Sequence, residues 1–211
     1  MGQDAAGGPA GDPSPAGGAA GDRDWGKPAW RRHLLAEREQ RGADPARDAA
    51  RADLVLALPQ VVAARTVAAY VSFGTEPATD LLLAALLGRG VRVLLPLLRP
   101  DRDLDWTLWS GVEGRGRTEA AGPVGAPLGA AAVTTADVIV CPGLAVDRAG
   151  TRLGRGGGSY DRALARTRPG ALRVLLLDDA EVVDRLPADP HDEPVHVAIT
   201  ATRVLRLDSP G

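Results

Sequence analysis

The chain has 211 residues, and 25 Lys+Arg against 27 Asp+Glu leave a formal net charge of -2. That near-balance excludes the strongly basic surface of a general nucleic-acid binder, so any anion site must be local. A single cysteine, Cys141, excludes an internal disulfide framework and fits a reducing compartment. No run approaches the roughly 18 apolar residues of a membrane span, and the first residues lack the charged-then-apolar pattern of a secretory leader. A soluble cytoplasmic protein, with no membrane and no nucleic-acid partner, is expected.

Residues 1–24 hold seven Gly, six Ala and three Pro, with no core former beyond Met1. Such a stretch cannot bury enough surface to offset its ordering entropy and reads as a disordered tail ahead of one domain over 25–211. "KPAWRRHLLAEREQR" then spaces Trp30, Leu34 and Leu35 as a helix, with Pro28 in its first turn. Arg32, Arg38 and Arg41 read as solvated surface or scaffold, and His33 as exposed. A second helix is expected from Pro45 to about Ala57, broken near Pro59.

"RTVAAYVSF" reads as a strand, and "TEPATDLLLAALLGRG" as a helix closed by Gly88 or Gly90. "VRVLLPLL" and "DLDWTLW" are strands, and 111–132, rich in Gly, Ala and Pro, a long loop. "VIVCPGLAVD" is a buried-type strand, followed by a glycine cluster and a helix from near Ser159. "RVLLLD", "AEVVDRL" and "VHVAITATRVLRL" read as strand, helix, strand. Apolar strands alternating with helices predict a parallel sheet covered on both faces.

The glycine cluster, "RLGRGGGSYDR", packs four glycines, three arginines and Asp161 into eleven residues. Glycines let backbone N–H groups approach an anion, and a helix start adds positive potential. The pattern is not G-x-x-x-x-G-K-[ST]. It is not the dinucleotide fingerprint either, because Ser159 stands where the third glycine would fall. From the residues alone, an anion cradle and a structural turn both stand. Asp161 can cap the following helix or hold Mg²⁺ against phosphate oxygens. Cys141 has no His partner in view and reads as a buried small residue. His33, His191 and His196 lack metal spacing.

The stretch from Pro142 to Asp161, "PGLAVDRAGTRLGRGGGSYD", closely resembles the signature of the 5-formyltetrahydrofolate cyclo-ligase (5,10-methenyltetrahydrofolate synthetase) family, P-G-x-[AG]-F-D-x-x-G-x-R-L-G-x-G-x-G-Y-Y-D. Val146 stands where the family has Phe, and Ser159 where it has the first Tyr. The resemblance runs from Lys27 to Leu205. It implies a Rossmann-like three-layer α/β/α fold with a largely parallel sheet, akin to ribose-phosphate isomerases and CoA transferases. It also implies ATP-dependent closure of 5-formyltetrahydrofolate to 5,10-methenyltetrahydrofolate.

By resemblance, Lys27 and Arg31 face the ATP phosphates, with Arg152, Leu153, Gly154, Arg155, Gly156, Gly157, Gly158, Ser159 and Tyr160 completing the nucleotide site. Val71, Glu76, Arg155 and Ser159 contact the folate, and Thr79 follows Glu76 at the family's spacing. Asp161 and Asp192 carry Mg²⁺, and His196 stands where the family often has Asp. Arg152, Arg155 and Tyr160 are the expected catalytic groups. Read from the residues, Tyr160 is equally a core tyrosine, Glu76 a helix N-terminal charge, and Trp106 and Trp109 core or pocket wall. A non-catalytic folate- or nucleotide-binding relative and a sugar-phosphate isomerase-like enzyme are the alternatives. No obligate protein partner is expected.

Overall fold

The computed structural model describes residues 25–111 and 125–208. The expected tail, 1–24, and most of the expected long loop therefore lie outside the described residues. The chain enters through α1 (Lys27–Arg41), α2 (Pro45–Leu56) and a short α3 (Pro59–Val62). Each has Pro in its first turn, where the missing N–H costs nothing. Asp44 caps α2 by accepting from the Ala46 and Arg47 amides. Pro59, expected only to break a helix, also starts one.

Next come β1 (Thr66–Ala68), α4 (Asp80–Gly88), β2 (Arg92–Leu98), β3 (Leu104–Leu108) and a 3₁₀ turn (Ala130–Thr135). The chain continues through β4 (Val138–Cys141), β5 (Ala145–Val146), β6 (Arg152–Leu153), α5 (Ser159–Ala165) and β7 (Leu172–Leu176). A second 3₁₀ turn (Asp179–Glu181), β8 (Val197–Ile199) and β9 (Val204–Arg206) complete it.

Seven strands form one sheet in the order β3-β2-β1-β4-β7-β8-β9. Strands β2, β1, β4, β7 and β8 run parallel, and β3 and β9 close the edges antiparallel. The two-residue period of a strand divides the core cleanly. Val67, Val93, Leu95, Val138, Val140, Val174 and Val197 face α2, α3 and α4. Ala68, Leu94, Ile139, Cys141, Leu175 and Ala198 face α5, Trp106 and Val133. Helices on both faces of a mainly parallel sheet are the architecture the sequence predicts. Trp106 is core, and Trp109 packs partly buried against the first cluster.

Strands β5 and β6 form a separate antiparallel pair. Leu144, Ala145 and Leu153 from it pack with Trp30 and Leu34 of α1 and with Val183 and Leu186. This small cluster seats α1 beside the glycine run that follows β6. Strand order also reverses between β1 and β4, which places the loops leaving both strands at a topological switch point, where open α/β sheets bind ligands.

Several expectations need correction. The helix expected over 75–90 begins only at Asp80. Before it, the Thr79 hydroxyl donates to the Tyr70 carbonyl at 2.8 Å, the Tyr70 hydroxyl donates to Pro77 O, and the Ala78 amide donates to Asp48. These bonds hold 70–79 as a turn. Gly90, at φ +75°, follows the helix end at Gly88. "AEVVDRL" is one 3₁₀ turn rather than a helix: Arg38 draws the Glu181 carboxylate inward, and the Val183 amide bonds Val146 O. The final strand is a hairpin, bent where the Thr200 hydroxyl binds Asp179 and the Thr200 amide bonds Arg203 O. His33 is partly buried, edge-on to Trp25 at 5.1 Å and 3.2 Å from Glu37.

Candidate active site

Helix α1 places Lys27 and Arg31 one turn apart on the face that also buries Leu34 and Arg38. Arg31 Nε donates to the Gly154 carbonyl at 2.9 Å, tying the helix to the glycine loop. Lys27 Nζ donates to Asp189 Oδ2 at 2.7 Å and to Asp192 Oδ2 at 2.5 Å. Burial opposes charge on Lys27, but the two aspartates outweigh it and hold the ammonium above its ordinary pKa. Hydrogen bonding from Lys27 keeps the Asp189 carboxyl below the usual range.

Two of the four loop glycines are demanded by geometry. Gly156 (φ +98°) and Gly158 (φ +67°) sit in the left-handed region that side-chain-bearing residues avoid. At Gly156 a Cβ would also come within 3.1 Å of the Arg31 guanidinium. The left-handed Gly158 is the N-cap of α5, and no side chain caps that helix. Asp161 therefore does not cap it. α5 runs for only seven residues, Ser159–Ala165.

Arg152 is not the open cation the sequence led one to expect. Its side chain is buried, donating to Asp161 Oδ1 at 2.5 Å and to Pro142 O at 3.3 Å. It clamps the start of the loop to the first turn of α5 and neutralises Asp161. Arg155, by contrast, is exposed, with Nε 3.3 Å from Glu76 Oε1 and its guanidinium 4.4 Å above the Phe73 ring. Glu76 is buried, and its Oε2 accepts the Phe73 amide at 3.2 Å. It belongs to a tight turn four residues ahead of α4 and is not a helix N-terminal charge. Val71 lies beyond the end of β1, partly buried in the same loop rather than in a strand.

Beside this turn opens a cleft of about 240 Å³ lined by Phe73, Glu76, Arg47, Asp48 and Arg51. The Tyr160 ring packs against both apolar clusters, and its hydroxyl is buried with no hydrogen-bond partner among the described residues. Burial, with Cys141 and Glu76 nearby, pushes this phenol well above its usual range, so it remains a donor. The fully buried Cys141 thiol is pushed up to about 11 and donates to Val174 O, in keeping with a structural residue.

Val146, the first departure from the family signature, is fully buried core, so that change is one of packing. Ser159 opens α5 beside the loop. His196 accepts the Arg173 amide at Nδ1 and lies between β7 and β8, away from metal duty. Burial and Arg173 push its pKa below the ordinary value.

The structure thus gathers Lys27, Arg31, the 154–158 loop, Arg155, Glu76 and Asp192 through direct contacts. Sequence reasoning missed Phe73, the chain's one phenylalanine, and Asp189, three residues before Asp192. It also left Arg38 unresolved: that residue is buried scaffold, bidentate to Glu181 at 2.6 and 2.7 Å and bonded to Gly143 O. Among the described residues, Asp189, His191 and Asp192 bring ligand atoms within 4.8 Å of one another, so His191, expected to lack metal spacing, joins this set through the fold of the 189–192 turn, and Asp161 is outside it. Carboxylate oxygens suit a hard cation such as Mg²⁺. The Lys27 ammonium seated between Asp189 and Asp192 shows that this spot stabilises positive charge.

A three-layer α/β fold with a cationic glycine loop at the switch point, joined to a buried carboxylate, defines a protein built to hold an anionic ligand beside a second, polar one. The match to known proteins narrows this class. Residues 23–201 match the model of the 5-formyltetrahydrofolate cyclo-ligase family, and the chain belongs to that family. It is 41% identical over 153 residues to a 5-formyltetrahydrofolate cyclo-ligase of Mycolicibacterium smegmatis, covering 67% of this chain and 76% of that one. The Escherichia coli K12 enzyme of the same name is 32% identical over 184 residues, covering 82% and 96%.

Among solved structures, the Aquifex aeolicus 5,10-methenyltetrahydrofolate synthetase superposes with a TM-score of 0.72 at 27% identity, over 88% of this chain and 94% of that one. The Mycoplasma pneumoniae 5,10-methenyltetrahydrofolate synthetase shares the fold, with a TM-score of 0.67 at 20% identity, over 83% and 98%. No helix among the described residues is long and apolar enough to cross a membrane.

Proposed function

We propose that this chain converts 5-formyltetrahydrofolate and ATP to 5,10-methenyltetrahydrofolate, ADP and phosphate. A formyl oxygen is a poor leaving group. Its attack on the γ-phosphorus breaks the bond to the β-phosphate, releases ADP and turns it into phosphate ester oxygen; N10 then bonds the formyl carbon and loses its proton, and the C–O bond breaks as phosphate departs. Phosphoryl transfer asks mainly for positioning and charge neutralisation. Lys27, Arg31 and Arg155 supply cations around the 154–158 loop, whose amides can receive phosphate oxygens.

Arg152 acts one step back, holding the loop and Asp161 in place. Glu76 accepts hydrogen bonds from the donor edge of the pterin, with Val71 and Ser159 beside it. The Tyr160 hydroxyl, desolvated and without a partner among the described residues, is ready to donate to a bound oxygen. Mg²⁺ held by Asp192 and Asp189 would supply charge neutralisation of the triphosphate, while Asp161, expected as its other ligand, is engaged by Arg152. The protein's own residues bind, orient and exclude water.

The observation that carries this reading is the single side chain of Arg155, which joins the phosphate loop to the Glu76 turn. The test is spectrophotometric. Purified protein given 5-formyltetrahydrofolate should accumulate the absorbing methenyl product only when Mg²⁺ and ATP are both present. Turnover without ATP would replace this reading with an isomerase-like one, and binding of both ligands without product would replace it with a non-catalytic one.

A further inference from the structure

Asp48 lies in the first turn of α2, where an acid ordinarily serves its own helix. Here Asp44 already caps α2, and Asp48 reaches a different part of the fold. Its Oδ1 accepts the Ala78 amide, 30 residues further along the chain, at 3.0 Å, and the Arg51 Nη2 at 2.5 Å. Arg51 is itself buried, its side chain 4% exposed. It donates to Asp178 Oδ1 at 2.7 Å and to the Leu177 carbonyl at 3.3 Å, just past the end of β7. The 70–79 turn is thereby tied to the sheet through Ala78, Asp48 and Arg51.

The bonds from Tyr70 to Pro77, from Thr79 to Tyr70 and from the Ser72 amide to Thr79 join the turn to itself. Bonds of that kind fix a loop's shape, whereas a bond from another element fixes its place. Asp48 and residues 72–78 together line the cleft of about 240 Å³.

Resting on the cyclo-ligase reading above, we propose that Asp48 is a positioning residue for the folate. By holding the Ala78 amide, it sets where the turn bearing Val71 and Glu76 stands. A displaced turn carries those side chains with it, and a shift of about 1 Å is enough to cost a reaction dearly. The glycine loop has its own anchors, Arg31 on Gly154 O and Arg152 on Asp161, so the effect falls on one substrate. Both bonds to Asp48 end on the same oxygen, and an asparagine amide supplies that acceptor equally.

The experiment compares steady-state formation of the methenyl product by the full chain, Asp48→Ala and Asp48→Asn, with a thermal melt of each. Asp48→Ala should raise the folate KM about tenfold, as loss of a hydrogen bond to a charged acceptor does, and leave the ATP KM within about twofold. Asp48→Asn should bring the folate KM back to within about threefold of the unmodified value. A role in stability alone would lower the melting temperature and leave the ratio of the two KM values where it was. Where Asp48→Ala does not fold, Asp48→Glu takes its place: it keeps the charge beside Arg51 but moves the acceptor by one methylene, and the folate KM should again rise about tenfold. An unchanged folate KM in the folded variant, folate and ATP KM values that rise together, or an Asp48→Asn as impaired as the variant it is compared with overturns the inference while leaving the cyclo-ligase reading intact. An unmodified chain that makes no product with Mg²⁺ and ATP overturns that reading and the inference with it.

Discussion

Two arginine–glutamate pairs in this molecule have the same chemistry and opposite construction. Arg38 and Glu181 are 1% and 0% exposed in their side chains and meet through two short bonds. Arg155 and Glu76 are 40% and 5% exposed in their side chains, with Arg155 Nε 3.3 Å from Glu76 Oε1. The first pair ties α1 to the second 3₁₀ turn, with Arg38 also bonded to Gly143 O in the loop after β4. The second lies across the mouth of the site. Burial of both partners makes a pair a fixed part of the fold, because separating them strands a charge in a dry interior. Burial of only one leaves a contact that a ligand can exchange.

The comparison breaks most readily at Arg38. Arg38→Ala should cost about 3–5 kcal/mol in denaturant unfolding, since the buried Glu181 then keeps only the longer Arg41 contact at 3.2 Å and the Asp178 amide. A loss below about 1 kcal/mol would place this pair with the exchangeable kind.

A smaller effect comes from another interior contact, His196, which accepts the Arg173 amide and has a folded pKa below the ordinary 6.5. The unfolded chain then binds more protons on this group, so stability falls as pH drops from about 6.5 through the folded value. The melting temperature of the unmodified protein should fall between pH 7.5 and 5.5 by more than that of His196→Gln, and equal pH dependence would contradict the assignment. The smallest change in stability is expected for Arg155→Ala, under about 1 kcal/mol, because solvent screens the half-open pair. A larger loss would make Arg155 scaffold like Arg38.

The same contrast explains what could be read from the sequence. Strands such as "VIVC" and "VRVLLPLL" declare themselves because both their faces are covered, and the glycine run is legible because Gly156 and Gly158 need backbone angles other residues avoid. The contacts of charged residues were less legible. Lys27, Arg31 and Arg38 share one helical face, yet one binds a loop carbonyl, one a pair of aspartates and one a buried glutamate more than a hundred residues away. Nothing local distinguishes them.

The failed helix at "AEVVDRL" has the same cause. A long-range bond from Arg38 to Glu181, and a bridge from Val146 to Val182, override the local helical pattern. Arg152 looked like an open phosphate cation because the motif supplies its charge, whereas the fold supplies its partner, Asp161.

The measurement closest to the central claim, that α1 and the glycine loop together grip the nucleotide's phosphates, is calorimetric titration of a Mg²⁺-bound, non-hydrolysable ATP analogue into the unmodified chain and Arg31→Ala. A charge-assisted hydrogen bond of about 1.5–3 kcal/mol predicts a Kd about ten- to a hundredfold higher for the variant, with its folding unchanged. Equal affinity in the two proteins, or no uptake by the unmodified one, would contradict the account.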